Sequence, residues 1–237
     1  MTAPELGLRA TPTQAEEWGA AQALLPIAMT FGFYTLPSSF QEHTLVQFAP
    51  QICAYLALCV WAIRNRGIVA RLGLEKEKIM GGLRWGLFTG LLLGGLNTFV
   101  ILWAYPHLGY DINFLKITPH GRLPPLVMVP WFICGIAFLV ELNFRGFLLG
   151  RLAALESKLW KSALARRLSP LALITCALVF AFDPFMVATF QHLHWIALWD
   201  GLIWGLIWLY TRNLYITFVA HTVEVITMYS AVRMAIG

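Results

Sequence analysis

The sequence predicts an all-α fold, a polytopic membrane helical bundle of seven to eight transmembrane helices. Three observations lead there. Hydrophobic residues make up 59% of the 237 and charged residues only 12%, with a mean hydropathy of +0.68; a soluble domain carries about a quarter charged residues. The charge is missing from long blocks, as a bilayer core requires when each charged side chain placed there costs a few kcal/mol or more. Most of the remaining charge lies between the blocks, with 17 Lys and Arg against 12 Asp and Glu. A basic excess (net +5) concentrated in loops fits the positive-inside rule rather than a nucleic-acid surface. The bilayer is therefore the first expected partner, and no nucleic acid is expected.

A membrane helix needs about 20 mostly apolar residues. Such runs lie near 18–36, 46–63, 84–105, 124–150, 169–188, 195–210 and 213–235. Dividing the long fourth run would give eight. The fifth and sixth are interrupted by Asp183-Pro184 and by His192-Leu-His194. Basic residues set the orientation. Arg64, Arg66, Arg71, Lys76, Lys78 and Arg84 fill one loop, and Arg151, Lys158, Lys161, Arg166 and Arg167 another, whereas 37–45 has none and 106–123 only Lys116 and Arg122. The two basic loops are expected in the cytoplasm, with the N-terminus inside and, for seven spans, the C-terminus outside. Trp18, Trp85, Trp103, Tyr105, Trp195 and Tyr210 fall near span ends, as interfacial belts do. Ser169-Pro170 fits an N-cap followed by Pro at the first helical position. Residues 1–17 lack the basic start and apolar core of a cleaved signal peptide. Cys53, Cys59, Cys134 and Cys176 sit in apolar runs without CxxC or Cys/His spacing, so buried reduced thiols are expected. No repeat or linker appears, and residues 1–237 read as a single integral membrane domain.

The residues able to do chemistry lie inside these runs. Glu141 and Arg145 are four apart, hence on one helix face, in the favourable order. Counting inward from Arg151 at 1.5 Å per residue puts Glu141 about 15 Å deep, where a carboxylate neutralises unless it is paired. The alternative is a packing ion pair without chemistry. Counting from Arg212 puts His221 about 13 Å deep, level with Glu141 on another helix. Glu224, three residues on, shares its face and is placed to orient the imidazole. Asp183 precedes Pro184, where helices tend to stop, so it reads equally as a cap. His192 and His194 point to different faces of a helix and suit an outer-surface cluster. HExxH is absent. Glu141, His194 and His221 have the ligand types zinc takes, but His194 falls nearer the outer face. No cofactor is expected, zinc being the lesser alternative.

The strip ELNFRGFLL from Glu141 resembles the first motif, EExxxRG, of the CPBP family of intramembrane glutamic-type proteases, the CAAX-protease and bacteriocin-processing family. Leu72-Gly-Leu, a charged turn and then Gly82-Leu-Arg-Trp-Gly-Leu resembles that family's lead into its core. YTRNLYITFVAH, from Tyr210 to His221, resembles its YxRTGSLWxxIxAH segment, and Val179-Phe-Ala-Phe-Asp-Pro lies where its FxxxH motif falls. The resemblance spans about 68–230. It implies a helical membrane bundle that hydrolyses peptide bonds, with Glu activating water and His and Asn stabilising the oxyanion. It also implies a membrane-associated peptide or protein substrate. This chain departs from the pattern at three places. Val140 stands where the family has its first Glu, so Glu141 matches the second. Phe180 plus four reaches Pro184, while Phe190 plus four reaches His194. Val225 stands where the Asn is expected.

Two readings follow for function. In the first, an endopeptidase cuts a membrane-bound or lipidated peptide near its terminus. Glu141 is then the base, Arg145 its positioning partner and His221 the oxyanion donor or proton shuttle, with Asp183 or His194 assisting and Glu224 and His192 in support. In the second, a catalytically silent relative acts as a peptide-binding, immunity or scaffold membrane protein. A proton-coupled small-solute carrier would use the same side chains as a relay. The expected location is the bacterial cytoplasmic membrane.

Overall fold

The computed structural model describes residues 18–160 and 162–236; the signal-peptide reading concerns residues outside that range. Among the described residues there is no strand. Eight helices carry the argument: α1 (Ala20–Phe33), α2 (Thr44–Arg64), α3 (Ile79–Phe99), α4 (Pro125–Glu156), α5 (Pro170–Ala181), α6 (Pro184–Phe190), α7 (Ile196–Thr211) and α8 (Leu214–Ile236). Among the described residues six helical runs are long and apolar enough to cross a membrane: Thr44–Arg64, Ile68–His107, Pro125–Glu156, Ala163–Ala181, Pro184–Thr211 and Leu214–Ala235. The protein is an all-α integral membrane bundle. The apolar stretch 18–36 becomes the shorter α1, because Gly19 is left-handed (φ 71°) at one end and the chain turns before Pro37 at the other. At 1.5 Å per residue α1 extends roughly 21 Å, short of a hydrocarbon core of about 30 Å. The fourth run is not divided.

Surface and interior are inverted relative to a soluble protein. Leu126 is 88% exposed, Ile63 84% and Trp131 72%, whereas Glu141, Arg145, Asp183, Asp200 and Glu224 are all buried. Apolar side chains facing lipid and ionisable groups facing the bundle interior are what a bilayer selects. Of the belt residues, Trp18, Trp85, Trp103, Trp195 and Tyr210 are exposed. Of the thiols only Cys176 is buried, and Cys59 faces outward. Arg151, from which the depth of Glu141 is counted, is also buried, its guanidinium 4.1 Å from the Trp61 ring.

α3 and α8 pack backbone to backbone. Gly82, Gly86, Gly90 and Gly94 repeat every four residues and present one bare stripe. A Cβ would meet Val219 Cβ at 2.6 Å from Gly86, the Ala220 carbonyl oxygen at 2.6 Å from Gly90 and Thr227 Cβ at 2.8 Å from Gly94. Small residues at this spacing let two backbones approach until dispersion contacts replace the lipid. The end of this pair is pinned by the basic loop. Leu214 N–H donates to the Gly73 carbonyl (3.0 Å), Lys78 Nζ to that of Arg212 (2.7 Å) and Asn213 Nδ2 to that of Lys78 (2.9 Å).

α4 crosses the bundle as one run with two widened turns, Met128–Gly135 and Leu142–Leu149, bonded i→i+5. Pro130 lies in the first and lacks the N–H that an α-helical turn needs there. The second carries Arg145, and such turns are frequent at functional sites. α4 packs on α5 and α7 through Phe144, Leu148, Leu149, Cys176, Phe180, Trp204 and Trp208. Ser169 precedes α5, but its hydroxyl donates back to the Arg166 carbonyl (3.0 Å) and does not cap the helix. The cap is Glu156, whose carboxylate accepts from Leu171 N–H (3.1 Å) and Ala172 N–H (2.7 Å). An anion there meets unpaired donors and the positive end of the helix dipole. α5 stops at Ala181 because Asp183-Pro184 starts a new helix, α6, so the fifth span does not run on to 188.

Candidate active site

Glu141 ends an α-helical stretch of α4, and Arg145 sits one turn on, inside the widened segment. Arg145 Nη1 donates to Glu141 Oε1 at 3.1 Å, with side chains 1% and 0% exposed. From α8, eighty residues away in sequence, His221 Nδ1 reaches the same Oε1 at 2.9 Å. That oxygen accepts from a guanidinium and is therefore the ionised acceptor, so Nδ1 carries the hydrogen it shares. The Thr217 hydroxyl lies beside this carboxylate and donates to the Leu214 carbonyl (3.1 Å). Aromatic faces enclose the group. Trp204 stacks on the His221 ring at 4.6 Å and 27°, and the Arg145 guanidinium lies 4.4 Å from the Phe180 ring and 5.0 Å from that of Trp204. A cation between two ring faces is held without further hydrogen bonds, and Arg145 Nε and Nη2 have none.

A second polar group borders the first. Asn97 of α3 donates through Nδ2 to both oxygens of Asp200 (3.2 and 3.1 Å) and to Glu224 Oε1 (2.6 Å). The two carboxyls thus share one amide donor in the bundle interior. Trp199 Nε1 donates to Asn97 Oδ1 (2.9 Å), which turns the amide nitrogen toward the acids. Glu224 thus serves this group and does not bond to His221. Asn97 and Asp200 were missed in the sequence, although each is a polar residue inside an apolar run.

Glu141, Arg145 and His221 are therefore brought together; Glu224, Asp183, His192 and His194 do not join them. Asp183 caps α6, accepting from Phe185 N–H (3.1 Å), Met186 N–H (3.2 Å) and Gln51 Nε2 (2.8 Å). His194 packs on Phe182 and Trp195, and its Nδ1 lies at the Gln191 carbonyl. His192 stacks on Tyr105 and Tyr110. The reason is the break at Asp183-Pro184: it turns the chain into α6 and carries both histidines away from Glu141. Among the described residues no group of three His, Cys, Asp or Glu could hold a metal ion, so the Glu141, His194 and His221 zinc set is not assembled. Outside the spans, Asn113 bonds hold the Asp111 carboxyl below its usual range, and burial against Phe190 pushes the His120 imidazole down to about 4.

Access to the group is one-sided. Glu141 is wholly buried, and its Oε2 is sealed from solvent. His221 keeps 14% of its side chain exposed.

A model of one protein family, described as type II CAAX prenyl endopeptidase Rce1-like, matches residues 121–226. No curated protein and no solved structure matches the chain. The matched stretch holds Glu141, Arg145, Asp200, His221 and Glu224 but not Asn97. Over residues 121–226 the chain is similar to the Rce1-like type II CAAX prenyl endopeptidases, in agreement with the CPBP resemblance of its motifs.

Proposed function

We propose that this protein is an intramembrane endopeptidase that hydrolyses a peptide bond near the end of a membrane-bound or lipidated polypeptide. The observation that carries the reading is the 2.9 Å closure of Glu141 on His221, between α4 and α8, inside an otherwise apolar bundle. A desolvated carboxylate paired with an imidazole can manage the proton of an attacking water, and Arg145 supplies positive charge beside the developing oxyanion. The family match supports the reaction class, since it names endopeptidases acting on prenylated CAAX termini. A cytoplasmic basic loop would put Trp18 inside as well: Trp18 N–H donates to Asn65 Oδ1 (3.0 Å), and Arg64 lies over its ring. The bacterial cytoplasmic membrane is the proposed location.

The test uses purified protein in liposomes with farnesylated peptides ending in CAAX sequences, new termini being read by mass spectrometry. Wild type is expected to cleave, and Glu141→Gln and His221→Ala to lose about 10²–10⁴ in rate. Unchanged cleavage in both variants would refute the site assignment. One observation favours the silent, peptide-binding reading instead. Val140 packs against the main apolar core and Val225 against Met128, Ile133 and Tyr229, where the family pattern has polar groups. Peptide binding without cleavage by wild type would decide for it.

A further inference from the structure

We infer that His221 Nε2 is the atom that takes the proton from the attacking water, with Glu141 acting through the other ring nitrogen and Trp204 fixing the plane of the ring. The inference rests on the endopeptidase reading and assigns the base within it. Three observations carry it. First, Glu141 Oε1 is already engaged by Arg145 Nη1 (3.1 Å) and His221 Nδ1 (2.9 Å), and Oε2 is sealed from solvent. A carboxylate that water cannot reach does not deprotonate water directly. Second, with the hydrogen on Nδ1, a neutral imidazole carries its lone pair on Nε2. His221 is also the partly exposed member of the trio. Third, the ring has little rotational freedom. Trp204, itself 1% exposed, stacks on it at 4.6 Å, and Phe180 meets it edge-on at 6.4 Å. A carboxylate orienting Nδ1–H while Nε2 faces the reacting molecule is the division of labour by which a carboxylate and imidazole serve hydrolysis on unrelated folds.

The step balances as follows. The water oxygen bonds to the peptide carbonyl carbon, the carbonyl π pair moves onto its oxygen, and one water proton passes to Nε2. The imidazolium is stabilised by Glu141 across Nδ1–H. The tetrahedral adduct then collapses, the C–N bond breaks, and Nε2 returns its proton to the departing nitrogen. The products are a carboxylic acid and an amine, and His221 is neutral again. Trp204 touches no reacting atom and is a positioning residue.

The test separates a base from a hydrogen-bond donor at the same place. His221→Gln puts an amide N–H near the position of Nε2, sufficient for an oxyanion donor but unable to accept a proton. His221→Asn keeps a donor near the position of Nδ1, toward Glu141, and has nothing at Nε2. Cleavage of farnesylated CAAX peptides in liposomes is expected to fall about 10³-fold or more in both variants, with thermal unfolding of His221→Asn close to wild type. In ¹⁵N-histidine-labelled protein, the signal absent from His221→Asn should show a protonated Nδ1 and an unprotonated Nε2. Trp204→Phe, which keeps a ring, should retain most of the turnover. Trp204→Leu should lower kcat about tenfold with KM unchanged and broaden the His221 nitrogen signals. Wild-type-like KM with cleavage kept within tenfold in His221→Gln, or an Nε2-protonated neutral ring, would overturn the assignment while leaving the endopeptidase reading standing. No cleavage by wild type overturns that reading and this inference together.

Discussion

At the scale of single residues, the site is a set of polar groups that are safe only in company. Removing the Glu141 carboxylate leaves a buried guanidinium without its counter-ion, and breaking a buried pair in this way costs about 3–5 kcal/mol. Glu141→Ala should therefore lower the unfolding temperature in detergent, and Glu141→Leu combined with Arg145→Met should recover most of the loss. Failure of the double variant to recover would show that the pair does more for the fold than neutralise itself. Asn97→Leu strips Asp200 and Glu224 of their common donor. With hydrogen bonds to charged groups worth about 1.5–3 kcal/mol each, it should destabilise by several kcal/mol. The legibility of these residues follows their geometry. Glu141 and Arg145 could be paired from sequence because four residues is a helical turn, and His221 could be set level with them by counting inward. Asn97 meets Glu224 across 127 residues of sequence, and no local spacing encodes such a meeting. Asp200 carried the same signal as Glu141, an acid in an apolar run, without a nearby basic residue to draw the eye.

Elements show where helix boundaries depend on more than composition. Apolar residues run through 18–36, yet α1 is shorter, since Gly19 and the turn before Pro37 set its ends. Ser169-Pro170 looked like a complete N-terminal signal, but the group that fills the role is Glu156, brought in by the chain folding back over fifteen residues. Glu156→Ala should destabilise by about 1–2 kcal/mol, a typical cap loss, and should free the Trp160 indole, which donates to the same carboxylate (2.7 Å). Indole fluorescence and thermal unfolding read both. The glycine stripe gives a paired prediction on one helix. Gly90→Leu drives a side chain into the Ala220 backbone and should prevent α3 from seating on α8. Gly95→Ala meets nothing within 4 Å and should be neutral or stabilising by up to about 1 kcal/mol. Equal behaviour of the two would remove close approach as the reason for the stripe.

For the whole molecule, orientation and loop chemistry are the measurable properties. Single cysteines at Lys76 and at Lys116 should react with an impermeant thiol reagent from opposite sides of the membrane if the basic loop is cytoplasmic. His120 gives a pH response with a definite sign. Burial holds its folded pKa at about 4, below the unfolded value of about 6.5. The unfolded chain then binds the extra proton first, so stability is lost as pH falls through that window. Thermal unfolding at pH 7 and pH 5 should differ less in His120→Phe than in wild type. The bundle also has a timetable. Asn97 is made 127 residues before Glu224, and at synthesis rates of about 5–20 residues per second that is an interval of roughly 6–25 s. Until α8 enters the membrane, the glycine stripe faces lipid, Asn97 lacks Glu224, and Glu141 has no imidazole. If the proposed endopeptidase reading holds, catalytic competence is withheld during synthesis, since a nascent chain stalled before His221 carries the Glu141–Arg145 pair of α4 without its imidazole.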